Sequence, residues 1–532
     1  MIKPNLPGVR PGICILHPSG TSTRPPFTRS ELHMELIADR YDIDLPEPTV
    51  LLHAEDCILM GVGDGDRVRV SGERTFVAIV SVSRTIVDRG HVFLTDKVLG
   101  ACSTEPGDRV DVTSSTGPDS VRTIREKMDG KVLSEEQLRE LVFDVMGGRL
   151  SRLEVSSWLT ALYIRGMGID EIASYAKVMA STGRCLDFGD RRVFDFHSFG
   201  GVPGNKITPI VVSIVASEGL LIPKLSSRAI SSPSGTADFV ETFCRVDLDT
   251  DEVSSIVDST GGVFSWTGAT DIAPAGDAFI MVQRPLGVDP RPQMLASIIS
   301  KKLAAGCTDL VMDIPMGAGT KVPTIEMANA YARDLMDLGE ILGINVECAV
   351  TYADQPLGHA VGPALEAREC IETLEKGDIH TDVADKACVC AGMILEMAGI
   401  PGGVARAREI LSSGRAMGKF REIVAAQGGS SDISSSDMAI GGFSSDIVAD
   451  RSGFVSSILN KAVVAVAKAA GAPSDHGAGV VIHKKRGAKV SKGDVILTVY
   501  AEKEEKLQHA LSIARSSEPV DVDGMLLERI GS

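Results

Sequence analysis

Aromatic residues are scarce, 4% of 532 positions with only two Trp and six Tyr, so the cores must be assembled from Ala, Val, Ile and Leu. Ten cysteines are scattered along the chain without a Cys-x-x-Cys pair, which excludes a zinc ribbon and a secreted disulfide framework. No stretch approaches the roughly 18 apolar residues of a membrane span, and no basic segment followed by an apolar one opens the chain. A cytoplasmic protein without membrane partners is therefore expected. Cations are outnumbered, 54 Lys and Arg against 71 Asp and Glu, for a formal charge of −17. A general nucleic-acid or anionic-membrane surface needs clustered Lys and Arg and is excluded. An anionic substrate would instead be held locally, by backbone N–H groups and one or two placed cations.

What is present is ordinary globular material, 44% hydrophobic and 23% charged, with 54 Gly and 25 Pro. The length allows about three or four domains, and the mixture favours α/β architecture. Residues 1–33 are rich in Pro, Gly, Ser and Thr and read as a disordered extension or a mis-assigned start. Residues 34–115 carry short β-rich runs separated by Gly-Asp turns, which predicts a barrel-like domain. The Gly61–Asp66 segment is a turn and not a phosphate loop, because a strand follows it.

From 116 to 188 the period becomes helical, with Ser134…Gln137 and Ser151…Glu154 fitting capping boxes and Leu138, Leu141, Val142 and Val145 expected in a core. From 189 to 430 strands and helices alternate, the signature of a mostly parallel sheet. Arg192–Phe196, Ile222–Leu225, Phe279–Gln283, Asp309–Ile314 and Asn345–Thr351 read as its strands. Residues 426–453 read as a linker or long loop, and 431–532 as an α+β tail domain. In that domain Ser456–Ala470 is expected as one helix, and 484–494 looks like a lipoyl or biotinyl hammerhead without a lysine to modify.

Three loops after predicted strands carry small or hydroxyl residues, where open α/β sheets form ligand sites. In the first, His197-Ser198-Phe199-Gly200-Gly201-Val202-Pro203-Gly204-Asn205-Lys206, glycines let the backbone approach an anion and Ser198 adds a hydroxyl; a tight connection is the alternative. The second runs from Ser226 to Glu241 with six hydroxyls and Arg228. Its bland alternative is an elaborate helix cap, with Ser234 or Thr236 satisfying the helix and Arg228 paired to an acid. The third element places Ser297 and Lys301 four apart on one helix face, and Lys321 ends a glycine loop downstream. Asp289, before Pro290, is by itself an ordinary turn cap.

Ser226-Ser227-Arg228-Ala229-Ile230 with Gly235-Thr236-Ala237-Asp238 and Glu241 closely resembles the signature of the thymidine and pyrimidine-nucleoside phosphorylases. His197-Ser198, Ser297 to Ala304 and Asp354-Gln355-Pro356-Leu357-Gly358 match further blocks in order. The β-rich domain from Met34, the Val202–Lys206 loop and the Val288-Asp289-Pro290 turn are similar to one branch, the archaeal phosphorylases of AMP. The resemblance implies multidomain α/β architecture of nucleoside phosphorylase/phosphoribosyltransferase type: a helical domain faces an α/β domain across a cleft, and an α+β tail follows.

It also implies phosphorolysis of AMP, and of CMP and UMP, to free base and ribose 1,5-bisphosphate, which passes through an isomerase to RuBisCO. The alternative is phosphorolysis of thymidine or pyrimidine nucleosides. Carried over, nucleotide contacts fall on Gly201, Ser227, Arg228, Ala229, Ile230, Ser231, Ser232, Thr236, Ser297 and Lys321, and the proton donor on Asp289. Ser198 and Thr236 match phosphate-holding positions, with His197, Lys206 and Lys301 as further phosphate candidates. No metal and no cofactor are implied beyond phosphate as co-substrate, and a homodimer or larger homo-oligomer is. Two departures stand out: Phe196 replaces the Lys expected before His-Ser, leaving Lys206 or Lys321 to supply the cation, and Val282 replaces an expected Arg.

Overall fold

The computed structural model describes residues 33–45, 47–229, 232–524 and 530; Ile230, Ser231 and most of the predicted N-terminal extension lie outside the described residues. The chain divides after Thr116 into two compact units.

The first unit is a closed six-stranded barrel. Around it run His33–Arg40, His91–Leu94, Thr49–His53, Thr75–Ser83, Arg67–Ser71 and Arg109–Ser115. Period-2 alternation builds it: Val68 and Val70 point inward between Arg67, Arg69 and Ser71, and Leu52, Val80, Val92 and Val112 complete the interior. Gly61 adopts φ 65° to end the helix Ala54–Met60, and Asp66 accepts the Gly63 N–H at 2.8 Å. The Gly-Asp segment is thus a turn into a strand.

The second unit begins with helices Ser120–Met128, Glu135–Met146, Arg152–Arg165 and Ile169–Ala180. Both expected capping boxes form, Ser134 with Gln137 and Ser151 with Glu154. Leu138, Leu141 and Val142 are buried, and Val145 is half-buried, in a core shared with helices Ala275–Leu286, Arg291–Ala304 and Ile325–Leu342.

One expected strand is corrected here. Phe279–Gln283 lies inside the helix Ala275–Leu286, where Phe279 and Gln283 are buried one turn apart and Met281 between them is exposed. A four-residue apolar run does not distinguish the two periods. The strand that completes the sheet is Gly262–Trp266.

Parallel strands Asn345–Tyr352, Asp309–Met316 and Phe194–Ser198 lie side by side, and Ile222–Ser226 pairs in parallel with Gly262–Trp266. A parallel bridge between Val193 and Leu221 joins the two sets. Helices Thr208–Ala216, Pro363–Lys376, Asp382–Met397, Gly403–Ser412 and Arg415–Ala426 pack an apolar core containing Phe196, Val211, Phe264, Ile394 and Phe420. Cys388 and Cys390 are fully buried in it. All five strands deliver their C-terminal ends to one edge, which is where the loops of interest lie.

The last part corrects two further expectations. The supposed linker holds a strand, Phe443–Val448, paired with Val495–Ala501, and the supposed single helix is a strand, Gly453–Ile458, followed by a helix, Asn460–Ala469. Ser- and Asp-rich strands with one exposed face carry little apolar pattern, so pairing alone defines them. Two antiparallel sheets, of four and three strands, pack with helices Asn460–Ala469 and Glu504–Ser517. No helix among the described residues is long and apolar enough to cross a membrane.

Candidate active site

The strand Phe194–Ser198 runs into a loop whose path depends on left-handed backbone at Gly200, Gly201 and Gly204 (φ 74°, 91° and 77°). A Cβ at Gly201 would stand 2.9 Å from the Lys321 backbone nitrogen. The two glycine loops meet there, and only glycine allows it.

Within the first loop the Ser198 Oγ accepts from the Asn205 Nδ2 at 2.9 Å and from the Gly200 N–H at 3.3 Å. With both lone pairs engaged, the hydroxyl proton remains to be donated to a ligand oxygen. The Asn205 amide nitrogen also faces the Asp313 carboxylate at 3.4 Å. A carboxylate only accepts, so this second contact orients the amide. Asp313 is itself held by Lys386 at 2.8 Å and by Thr351 at 2.5 Å.

His197, the residue before Ser198 in the strand, is half-buried. Burial, followed by the charges of Lys302, Lys224, Lys301 and Lys321, holds its imidazole well below the usual histidine range. It is neutral at physiological pH, with one donor and one acceptor nitrogen. The four lysines whose charges act on it come from three different segments.

Lys206 is a correction. Its side chain is 0% exposed, and its Nζ donates to the Leu357 carbonyl at 2.9 Å and to Glu369 at 2.8 Å. Its ammonium pins the loop from beneath and is not presented to a ligand. Glu369 also accepts the backbone N–H groups of His359 and Ala360, which anchors the segment Asp354–Gly358 to the same post.

The second loop is folded around Asp238, whose Oδ2 accepts the Ala229 N–H at 2.7 Å and the Gly235 N–H at 2.8 Å. A Cβ at Gly235 would meet Ser227, Arg228 and Ala229 backbone atoms at 2.6–2.8 Å. The loop therefore doubles back on itself with no room to spare. Arg228 makes a bidentate pair with Glu241, both contacts 2.6 Å, and stacks over Trp266 at 4.7 Å. The acid-paired alternative for Arg228 is the one the geometry shows, and the Ala229 N–H is engaged inside the protein. Ser227 is exposed, Ser232 donates to the Ser234 carbonyl at 2.9 Å, and Thr236 is the first residue of the helix Thr236–Val240.

Ser297 and Lys301 do share a face of the helix Arg291–Ala304. A Cβ at Gly276 would lie 2.9 Å from the Ser297 Oγ and 3.4 Å from the Lys301 Cε, and the Lys301 Nζ pairs with Asp277 at 2.9 Å. Asp289 is exposed on the turn before that helix. The chain around it leaves this carboxyl open to solvent. Two residues on, Arg291 stacks over the Tyr331 ring at 4.7 Å, and that ring packs on Phe199 of the first glycine loop at 4.9 Å. This aromatic pair connects the Asp289 turn to the loop of Ser198.

The sequence reading missed the buried supports: Asp195, Lys224, Lys302 and Asp313, together with the hydrogen-bonding role of Asn205. A signal was available, because Asp195 stands between two Phe and Lys224 inside an apolar strand, where an ion is retained only with partners.

Residues 121–183 match the helical bundle domain of a glycosyl transferase family, 190–417 its a/b domain, and 454–520 the pyrimidine nucleoside phosphorylase C-terminal domain. Anthranilate phosphoribosyltransferase from Thermus thermophilus is 25% identical and superposes with a TM-score of 0.48, over 58% of this chain and 99% of that one. AMP phosphorylase 1 of Archaeoglobus fulgidus is 45% identical over 91% of this chain and 96% of its own. The AMP phosphorylases of Methanosarcina mazei and Thermococcus kodakarensis are each 44% identical, over 93% and 91% of this chain and 98% and 97% of theirs. With identity of this level along nearly the whole length and the expected loops in place, the chain belongs to the AMP phosphorylase family.

Proposed function

We propose that the protein phosphorolyses AMP, and CMP and UMP in addition, to the free base and ribose 1,5-bisphosphate. A phosphate oxygen attacks C1′, the N-glycosidic bond breaks, and the departing base takes a proton at a ring nitrogen. The reading is supported above all by the meeting of Gly201 with the Lys321 backbone, which brings a hydroxyl-bearing glycine loop and a lysine-bearing one to the same strand edge.

In this reading Ser198 donates its free proton to inorganic phosphate, with neutral His197 beside it and Thr236 at the adjoining helix start. Ser227, Ser232, Gly201, Ser297 and Lys321 border the nucleotide; the contacts expected of Ile230 and Ser231 lie outside the described residues. Arg228 acts by shaping its loop through Glu241. The incoming phosphate stabilises the cationic sugar of the transition state, so the protein's work is positioning and hydrogen bonding. Asp289 protonates the base as the N-glycosidic bond breaks. No metal ion takes part.

Free base released from AMP, CMP, UMP, adenosine and thymidine in phosphate buffer, with and without EDTA, tests this. Release from the 5′-monophosphates alone and unaffected by EDTA is expected; release from nucleosides alone would overturn it. A homo-oligomer belongs to the same proposal, supported by Leu153, Tyr163 and Ile164, which are 63–77% exposed on the helix Arg152–Arg165. Light scattering of the purified protein checks it, and a monomer would refute it.

A further inference from the structure

Directly behind the His197 loop lies a buried cluster of two ammonium groups and one carboxylate. The Asp195 side chain is 1% exposed, Lys302 2% and Lys224 5%. Lys302 reaches the Asp195 Oδ2 at 2.5 Å. The Lys224 Nζ donates to the Phe196 carbonyl at 2.6 Å and faces the Asp195 Oδ1 at 3.4 Å.

Two positive charges against one negative leave a single cation in excess. No other described acid closes the balance. The strand Gly262–Trp266 and the helix Thr208–Ala216, which flank Lys224, carry no charged residue. Asp251, Glu252 and Asp258 on the helix Thr250–Thr260 pair with surface arginines. Asp309 is taken by Arg192 and Asp313 by Lys386. Of the remaining neighbours, His197 is held neutral, and burial pushes the Cys307 thiol far up, so it is neutral as well. Lys301 and Lys321 add positive charge from the site side.

An uncompensated buried ammonium is unfavourable unless an anion occupies its field or it gives up its proton. The place such an anion would occupy follows from the contacts. Lys224 bonds to the carbonyl of the peptide that leads into His197-Ser198, and its own strand opens two residues later into Ser226-Ser227.

We propose that Lys224 is a positioning residue for inorganic phosphate, the excess charge of the Lys224–Asp195–Lys302 cluster acting as counter-charge to the dianion through the Phe196–His197 peptide, without touching it. The inference rests on reading the His197–Lys206 loop as the phosphate site. Burial and Lys302 lower the Lys224 ammonium to about 8 against the pull of Asp195. Phosphate affinity therefore falls as pH rises through that value, where phosphate is already a dianion.

The test compares the wild type with Lys224→Met and Ser198→Ala. KM for phosphate and for AMP is measured from pH 6.5 to 9.5, along with thermal midpoints with and without inorganic phosphate. Lys224→Met is expected to raise KM for phosphate roughly tenfold, as losing one charge in a low-dielectric site does, and to abolish the rise above pH 8. In its midpoint without phosphate the removal of the excess charge offsets the lost hydrogen bond to the Phe196 carbonyl, and a given phosphate concentration raises that midpoint less than in the wild type. Unchanged phosphate KM in Lys224→Met with a loss in Ser198→Ala would overturn this inference and leave the loop reading standing. No loss in either variant would overturn the loop reading itself. A rise in KM for AMP alone would reassign the cluster to the 5′-phosphate and overturn the proposal. The wild type also tests it alone: a phosphate-induced midpoint shift that persists unchanged to pH 9.5 refutes it, whether or not Lys224→Met folds.

Discussion

The Asn205 side-chain amide donates to the Ser198 hydroxyl oxygen at 2.9 Å, and with the Gly200 N–H it uses up that oxygen's lone pairs. The contact turns a generic serine into a directed donor. Replacing Asn205 with Ala is expected to raise KM for phosphate about fivefold, the worth of one neutral hydrogen bond. Ser198→Ala, which removes a bond to a charged group, is expected to raise it roughly 10- to 100-fold. Steady-state kinetics at varied phosphate would sink the assignment if KM for AMP moved in place of KM for phosphate.

Asp289 gives a separate prediction, on kcat. A proton donor to a poor leaving group contributes on the order of 10²–10⁴-fold, so Asp289→Asn should lower kcat by that factor with little change in either KM. The residue is exposed, so folding should be unaffected. A kcat within threefold of the wild type removes it from the mechanism.

At Gly235 the obstacle to a side chain is the Ser227–Ala229 backbone, at 2.6–2.8 Å, with no flexible end to move away. Gly235→Ala should therefore shift the Ser227–Ala229 segment, destabilise by about 1–3 kcal/mol, and raise KM for AMP. Denaturation and kinetics together decide; a fully active, equally stable variant would show that the close turn is not needed.

Lys206 and Glu369 offer a test of structure against ligand contact. Removing the ammonium alone in Lys206→Met strands a largely buried carboxylate and should destabilise by about 3–5 kcal/mol. The double variant Lys206→Met, Glu369→Gln should recover most of that loss and keep the wild-type KM for phosphate. Weak phosphate binding in the stable double variant would return Lys206 to the site.

Glu366 is fully buried beside this pair, and burial pushes its carboxyl up to about 8, against the pull of Lys206 and the Gly362 N–H. Because the folded pKa lies above the unfolded one, the folded state holds the extra proton. Stability is greatest below the ordinary carboxyl range and declines as pH rises toward 8. Glu366→Gln keeps the acceptor for Gly362 and removes the titration. The margin of its thermal midpoint over that of the wild type should grow from pH 5 to about pH 8 and then level off, and a constant margin would contradict the buried-proton account.

The sequence by itself determined much of this protein, wherever the information is local. Gly-Asp turns between alternating Val residues specified the barrel strands, Ser134 and Ser151 specified helix starts, and the glycine and hydroxyl patterns after strands marked the loops at 197 and 227. Such features depend on backbone conformation and period, which neighbours in the chain settle between themselves. Tertiary structure decided what local pattern leaves open. Phe279–Gln283 became helix because Phe279 and Gln283 share a buried face, and Phe443–Val448 became strand because Val495–Ala501 offered it an edge. It also decided which cations stay exposed and which are consumed inside the fold. Lys206 and Lys321 look alike in sequence, yet one meets Glu369 inside the fold and the other is exposed at a loop edge. A charge is placed by its partners, and Asp195, Lys224 and Lys302 come together only once distant strands and helices have packed.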